Sequence, residues 1–189
     1  MIDACPDSAV LFFDVDGTLT FFDPDNLTDK DLTAIHPSPA VIEAFHSLSE
    51  AGHKAFICTG RPLWLVADGL RALGPTGIVA MGGATLEIEG RVAYEECFAE
   101  DVVEELVRRV ADAGVEAMFE TNIKTFALEP EGVEQSYLPG ASVVHDVDQM
   151  RVDGRLCVGK VCIIAPDLAR VANDDGFVDH NFELCNTGG

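Results

Sequence analysis

The sequence predicts an α/β protein, with a parallel-sheet core over residues 1–97 and an α+β module over residues 98–189. Three observations carry this expectation. An apolar run, Val10 to Phe13, stops abruptly at two carboxylates, Asp14 and Asp16. A second apolar run, Lys54 to Cys58, follows a helix-like segment, and strand, helix, strand in that order implies a parallel pair with a right-handed crossover. From about Ala99 the pattern changes to an amphipathic helix followed by short strand-like runs, which suits a separate α+β module.

At 189 residues the chain suits one ordinary domain or two small ones. Twelve Lys and Arg against 33 Asp and Glu give a net charge of −21. Such a surface repels nucleic acid and anionic membranes, so neither is an expected partner. The six cysteines, at 5, 58, 97, 157, 162 and 185, form no CxxC pair and read as buried, reduced thiols of a cytosolic protein. The five histidines show no metal-binding spacing, which leaves zinc without support. No cationic stretch leads into an apolar one at the N-terminus, and no apolar run approaches the roughly 20 residues needed to span a bilayer. A cytoplasmic location is expected.

Val10 to Phe13 is continuous, aromatic and β-branched, as in a strand buried on both faces of a parallel sheet. Side chains at i and i+2 leave an extended chain on the same side, so Asp14 and Asp16 can point into one small volume. Gly17 lets the backbone turn sharply beneath them. The crevice beyond the carboxyl ends of such strands is where open α/β sheets bind ligands. Asp16-Gly17 between two apolar runs is also a strong signal for a two-residue β-hairpin turn, and pattern alone leaves both readings open.

Phe21 to Pro37 is polar and unperiodic, and reads as a loop able to fold over a site. Ser38 is a plausible N-cap with Pro39 at the first helical position. Ile42, Phe45 and Leu48 or Ser49 trace one face of the helix, which Gly52 stops. Lys54 to Cys58 then forms a strand ending at Thr59-Gly60-Arg61-Pro62, which brings Thr59 to the same sheet edge as Asp14.

The string DVDGTLT, Asp14 to Thr20, resembles the first motif, DxDxT, of the haloacid dehalogenase superfamily of phosphatases and phosphotransferases, with Asp14, Asp16 and Thr18 in the motif positions. ICTGRP, Ile57 to Pro62, resembles that superfamily's second motif, in which Thr or Ser binds the transferring phosphoryl group. Its TGR form is similar to that of the Cof-type sugar-phosphate phosphatases. Two motifs in the right order, each closing an apolar strand, tell against the hairpin. The resemblance implies a Rossmannoid parallel-sheet core, incomplete in this chain, with an inserted α+β cap that closes over the site and selects the substrate.

Further along, a helix is expected from about Pro62 to Leu73 and a short third strand over Gly77 to Ala80. MGGATLEIEGRVAYEECF alternates and turns at Glu89-Gly90 as a hairpin does. Its start resembles the Cof-type NGA segment, with Gly where Asn is usual. Glu100 to Gly114 reads as an amphipathic helix with Val103, Leu106, Val107 and Val110 on one face. Val115 to Thr121, Lys124 to Leu128, Leu156 to Ala165 and Phe182 to Cys185 read as strands. Glu131 to Met150 reads as irregular with at most a short helix, and Asp167 to Asn173 as a short helix.

The chemistry follows from the residues present. A carboxylate is a competent nucleophile at neutral pH, so Asp14 can attack phosphorus and form an aspartyl-phosphate. Asp16 is placed to protonate the leaving oxygen and later to deprotonate water. Two carboxylates facing a phosphate dianion need a hard cation with oxygen ligands, and Mg²⁺ fits best. The resemblance implies that the metal contacts Asp14 and the backbone carbonyl of Asp16. The N–H groups around Gly17 and Thr18, with Thr59, Gly60 and Arg61, make the expected substrate-binding set.

The superfamily's third motif, a Lys, and its fourth, GDxxND, are not found. Lys160 reads as a cap strand residue, and Asn173-Asp174-Asp175 follows no strand. The chain is therefore expected to hold the first part of a family member. The strand bearing Asp14 would then lie at an unprotected sheet edge, open to self-association. Two functions follow: a Mg²⁺-dependent phosphatase on a small phosphorylated metabolite of the sugar-phosphate type, or a catalytically incomplete fragment that binds phosphate or a protein. A phosphomutase would share the aspartyl-phosphate.

Overall fold

A computed structural model of the chain describes residues 8–20, 36–129 and 140–185. The expected loop over Phe21 to Pro37 and the first half of Glu131 to Met150 lie largely outside the described residues. The chain divides into two compact units, Met1–Glu96 and Cys97–Gly189.

The first unit is an α/β layer. Its strands are β1 (Val10–Asp14), β2 (Lys54–Cys58), β3 (Gly77–Ala80), β4 (Thr85–Ile88) and β5 (Arg91–Glu95), ordered β1-β2-β3-β4-β5. The first three run parallel, and β4 and β5 extend the sheet antiparallel. The β4–β5 turn places Glu89 (φ 50°) and Gly90 (φ 74°) in the left-handed region that a type I′ hairpin requires. Ile57, Ile78 and Ala80 pack one face of the sheet against Phe45, Leu63 and Leu70.

Helix α1 (Pro39–Glu50) starts as its sequence predicts, with Ser38 Oγ accepting the Val41 N–H at 3.4 Å and Pro39 in the first turn. Its inward stripe is Val41 and Phe45 rather than Ile42, which is 51% exposed. The expected helix over Pro62 to Leu73 is broken into a 3₁₀ turn (Leu63–Leu65), two extended residues, and the single-turn α2 (Asp68–Arg71). Leu63, Leu65, Val66, Ala67 and Leu70 are all buried. No one helical stripe can hold those five positions, so burial overrides local helix propensity.

The second unit packs helices on a four-stranded sheet. Its elements are α3 (Glu100–Ala113), β6 (Ala117–Glu120), β7 (Thr125–Leu128), β8 (Ser142–Val144), β9 (Lys160–Ile163), α4 (Ala165–Ala172) and α5 (Phe177–Asn181), with strand order β8-β7-β6-β9. Val103, Leu106, Val107 and Val110 of α3 form its core with Phe119, Phe126, Leu128 and Val144. Gly114 ends α3 in the left-handed conformation.

Several sequence expectations need correction here. β8 was not foreseen, because three residues in an acidic stretch carry no readable period. The strand expected from Leu156 shortens to β9, since Leu156 and Val158 are buried core residues outside the ladder. Phe182 to Cys185 is not a strand; the Phe182 ring packs 4.7 Å from Phe98 and 6.0 Å from Phe177. The cysteines are not all reduced: Cys97 and Cys157 form a disulfide, with Cα atoms 5.1 Å apart. Their partnership across 60 residues is invisible to a reading of each cysteine among its neighbours. Cys58, Cys162 and Cys185 are free thiols.

Among the described residues β1 has a strand partner on one side only. Val10 is 58% and Phe12 62% exposed, as an edge strand with one uncovered face would be.

Candidate active site

Parallel register sets Asp14 opposite Cys58. Thr59, the next residue, therefore stands beside the end of β1. The turn after β1 is built around Val15, which is fully buried. Its carbonyl accepts the N–H of Thr18 (3.2 Å), Leu19 (3.0 Å) and Thr20 (3.0 Å), and also the Thr20 hydroxyl (3.2 Å). Gly17 takes φ 85°, a conformation glycine adopts without steric cost, and its N–H donates to the Thr20 carbonyl at 2.8 Å. Among the described residues the ladder of β1 runs parallel to β2, the arrangement expected of a sheet strand that ends at a site.

Asp14, Asp16, Gly17 and Thr18 are all exposed on this turn. The Gly17 and Thr18 amides, expected to hold phosphate, donate within the turn itself. A phosphate reaching them has to compete with those bonds.

Thr59 is 5% exposed and pinned from three sides. Its N–H donates to Val79 O at 2.9 Å, its carbonyl accepts the Gly82 N–H at 3.2 Å, and Oγ1 accepts the Arg61 N–H at 3.1 Å. That last bond leaves the hydroxyl hydrogen for another acceptor. The Met81 N–H donates to the Arg61 carbonyl at 3.0 Å, so the turn after β3 braces the TGR segment. Gly82 (φ 66°) and Gly83 (φ 112°) give that turn its shape.

Arg61 joins the two motifs. Its side chain is 8% exposed, and its Nε and Nη2 donate to Asp16 Oδ2 (3.3 Å) and Oδ1 (2.5 Å) as a two-pronged pair. Sequence reasoning named Arg61 for substrate and missed this bond. The available signal was geometric: a guanidinium two residues past Thr59, at the strand end next to Asp16. Nearby, burial and then the charge of Asp14 push the Cys58 thiol up, so it stays protonated at neutral pH.

Lys160 lies in β9, with Nζ 2.8 Å from Glu120 Oε2, as its strand reading expected. Asn173 caps α4 in the left-handed conformation, and Arg109 holds Asp175 through Nη1–Oδ1 (3.0 Å) and Nη2–Oδ2 (2.5 Å). Asp175 thus serves the second unit's packing.

Residues 11–174 match the model of a family described as haloacid dehalogenase-like hydrolase. Over 108 residues, 57% of this chain, there is 30% identity to a candidate phosphatase of Bacillus subtilis, YkrA. The match covers 37% of that protein, so the chain spans little more than a third of its curated relative. A haloacid dehalogenase-like hydrolase from Bacteroides thetaiotaomicron superposes with a TM-score of 0.67 at 18% identity, over 96% of this chain and 68% of the other. A haloacid dehalogenase subclass IIB sugar phosphatase superposes with a TM-score of 0.50 at 24% identity, over 66% and 45% of the two chains. At these identities the solved structures share the fold.

Proposed function

This chain belongs to the haloacid dehalogenase-like hydrolases, and from that premise we propose that it is a Mg²⁺-dependent phosphatase. The substrate is a small phosphorylated metabolite of the sugar-phosphate class, and the intermediate is an aspartyl-phosphate on Asp14. The observation that carries this reading is the meeting of Asp14, Asp16, Thr59 and Arg61 at adjacent ends of parallel strands.

In the proposed cycle an Asp14 oxygen attacks phosphorus as the bond to the substrate oxygen breaks. Asp16 gives that oxygen its proton. Water, losing its proton to Asp16, then attacks the aspartyl-phosphate, and phosphate leaves with Asp14 regenerated. The Thr59 hydroxyl donates to a phosphate oxygen. At rest Arg61 holds Asp16, and an arriving dianion competes for the guanidinium.

The donor set at this strand end fits Mg²⁺: two exposed carboxylates and backbone carbonyls are hard oxygen ligands. Asp14 and the Asp16 carbonyl would hold the ion, which when bound offsets the repulsion between carboxylates and phosphate. Residues 98–189 act as the cap that selects the substrate. No helix among the described residues is long and apolar enough to cross a membrane, and the enzyme works in the cytoplasm.

Hydrolysis of an aryl phosphate with and without Mg²⁺, with an Asp14→Asn control, tests the proposal. Metal-dependent turnover lost in the variant is the expected result. A folded sample that binds phosphate but never turns over would instead make the chain a phosphate-binding module.

A further inference from the structure

The disulfide between Cys97 and Cys157 takes no part in the phosphatase chemistry, yet it occupies a defined place. Cys97 is the first residue of the second unit and lies two residues before Ala99, the N-cap of α3. Cys157 lies between Leu156 and Val158, both buried in that unit's core. The backbone repeats the link, since the Phe98 N–H donates to the Val158 carbonyl at 2.9 Å. Covalent bond and hydrogen bond together staple the lead-in of α3 to the segment before β9.

We propose that Cys97–Cys157 is a reversible thiol–disulfide site, opened and closed by a small-molecule thiol couple of the glutathione class. Both cysteines are partly exposed, so a small thiol can reach the sulfurs. The two sulfurs are also contacted unequally. The Arg155 guanidinium donates to Cys97 Sγ at 3.9 Å, while no such contact is made to Cys157 among the described hydrogen bonds. A cation beside a sulfur stabilises its thiolate and makes it the better leaving group.

Opening therefore begins with a thiolate attacking Cys157 Sγ. A mixed disulfide forms there, the protein S–S bond breaks, and Cys97 leaves as a thiolate facing Arg155. A second thiolate attacks the outer sulfur of the mixed disulfide and releases Cys157. Two small thiols are oxidised to their disulfide, and the protein gains two electrons and two protons as two thiols. Closing is the reverse, with Cys97 attacking the mixed disulfide at Cys157. Between the two states the Phe98–Val158 hydrogen bond and the Phe98–Phe182 ring contact keep the lead-in docked, so opening loosens the segment without unfolding the unit.

The test follows thiols, not phosphate release, and so fails or succeeds independently of the phosphatase reading. The full chain is equilibrated across a series of reduced-to-oxidised glutathione ratios, quenched, alkylated and mapped by peptide mass, with circular dichroism recorded in parallel. The expected result is a linked Cys97–Cys157 peptide in the oxidised samples, both cysteines labelled together in the reduced ones, unchanged secondary structure, and full reversal. Arg155→Gln should slow opening by about threefold to tenfold, and Arg155→Lys should restore it. The proposal is overturned if the linkage is absent under oxidising ratios, if it stays closed under excess glutathione, or if it opens only when the chain unfolds. Equal opening rates for the wild type and Arg155→Gln would overturn the direction of attack.

Discussion

Strands β1 and β7 are both apolar for most of their length, and they end in opposite circumstances. All four residues of β7 are buried, between β6 and β8 and beneath α3. In β1 every second residue is exposed, and among the described residues Phe12 stacks on Phe56, 5.3 Å away. Apolarity in a strand thus reports the burial its sequence is suited to, while neighbours decide the burial it has. The contrast extends to chemistry, because the loosely covered strand bears the candidate nucleophile and the buried one bears none.

The sharpest way to probe this division is to remove the nucleophile. Asp14→Asn should cut Mg²⁺-dependent hydrolysis by about a thousandfold or more and leave the thermal midpoint in place, since Asp14 is exposed. Loss of folding along with activity would break the contrast. Phe119→Ala, in a fully buried position of β6, should destabilise the second unit by about 3–5 kcal/mol, read by denaturant titration.

Lys160→Met comes next. It leaves the Glu120 carboxylate, 5% exposed, without its ion-pair partner. The cost should be about 2 kcal/mol, less than for a fully buried pair because Lys160 keeps some access to water. Burial, the largest single effect, pulls the Lys160 amine down, but Glu120 and Cys162 together outweigh it and the net shift is upward. A raised amine gives stability that is whole below its ordinary pKa and is lost as pH rises through the folded value. Wild-type stability should therefore fall on the alkaline side, and the variant should lack that portion of the fall. Smallest of all, Phe12→Ser should change stability by no more than about 0.5 kcal/mol. A cost near that of Phe119→Ala would mean that β1 is covered in solution, and the contrast would collapse.

Much of the architecture was legible because it rests on short-range signals. Ser38 and Pro39 announce α1, Glu89-Gly90 announces a turn, and the four inward residues of α3 announce its buried face. The two strand ends of the candidate site were legible too, since Asp14 and Thr59 each follow an apolar run. What escaped depends on partners far away in sequence. The Cys97–Cys157 bond, the Arg61–Asp16 pair 45 residues apart, and the breaking of the Pro62 to Leu73 helix all follow from tertiary neighbours that no local window contains.

The carbonyl of Val15 accepts three amide hydrogens and a hydroxyl from the residues that follow it. This concentration of bonds on one oxygen means that the loop presenting both carboxylates is arranged before any substrate arrives. In the proposed reaction little ordering entropy would then be left to lose, and the loop's dipoles would not need to reorient as charge moves from Asp14 to phosphorus. The candidate carboxylates thus stand on a turn whose bonds converge on one buried valine.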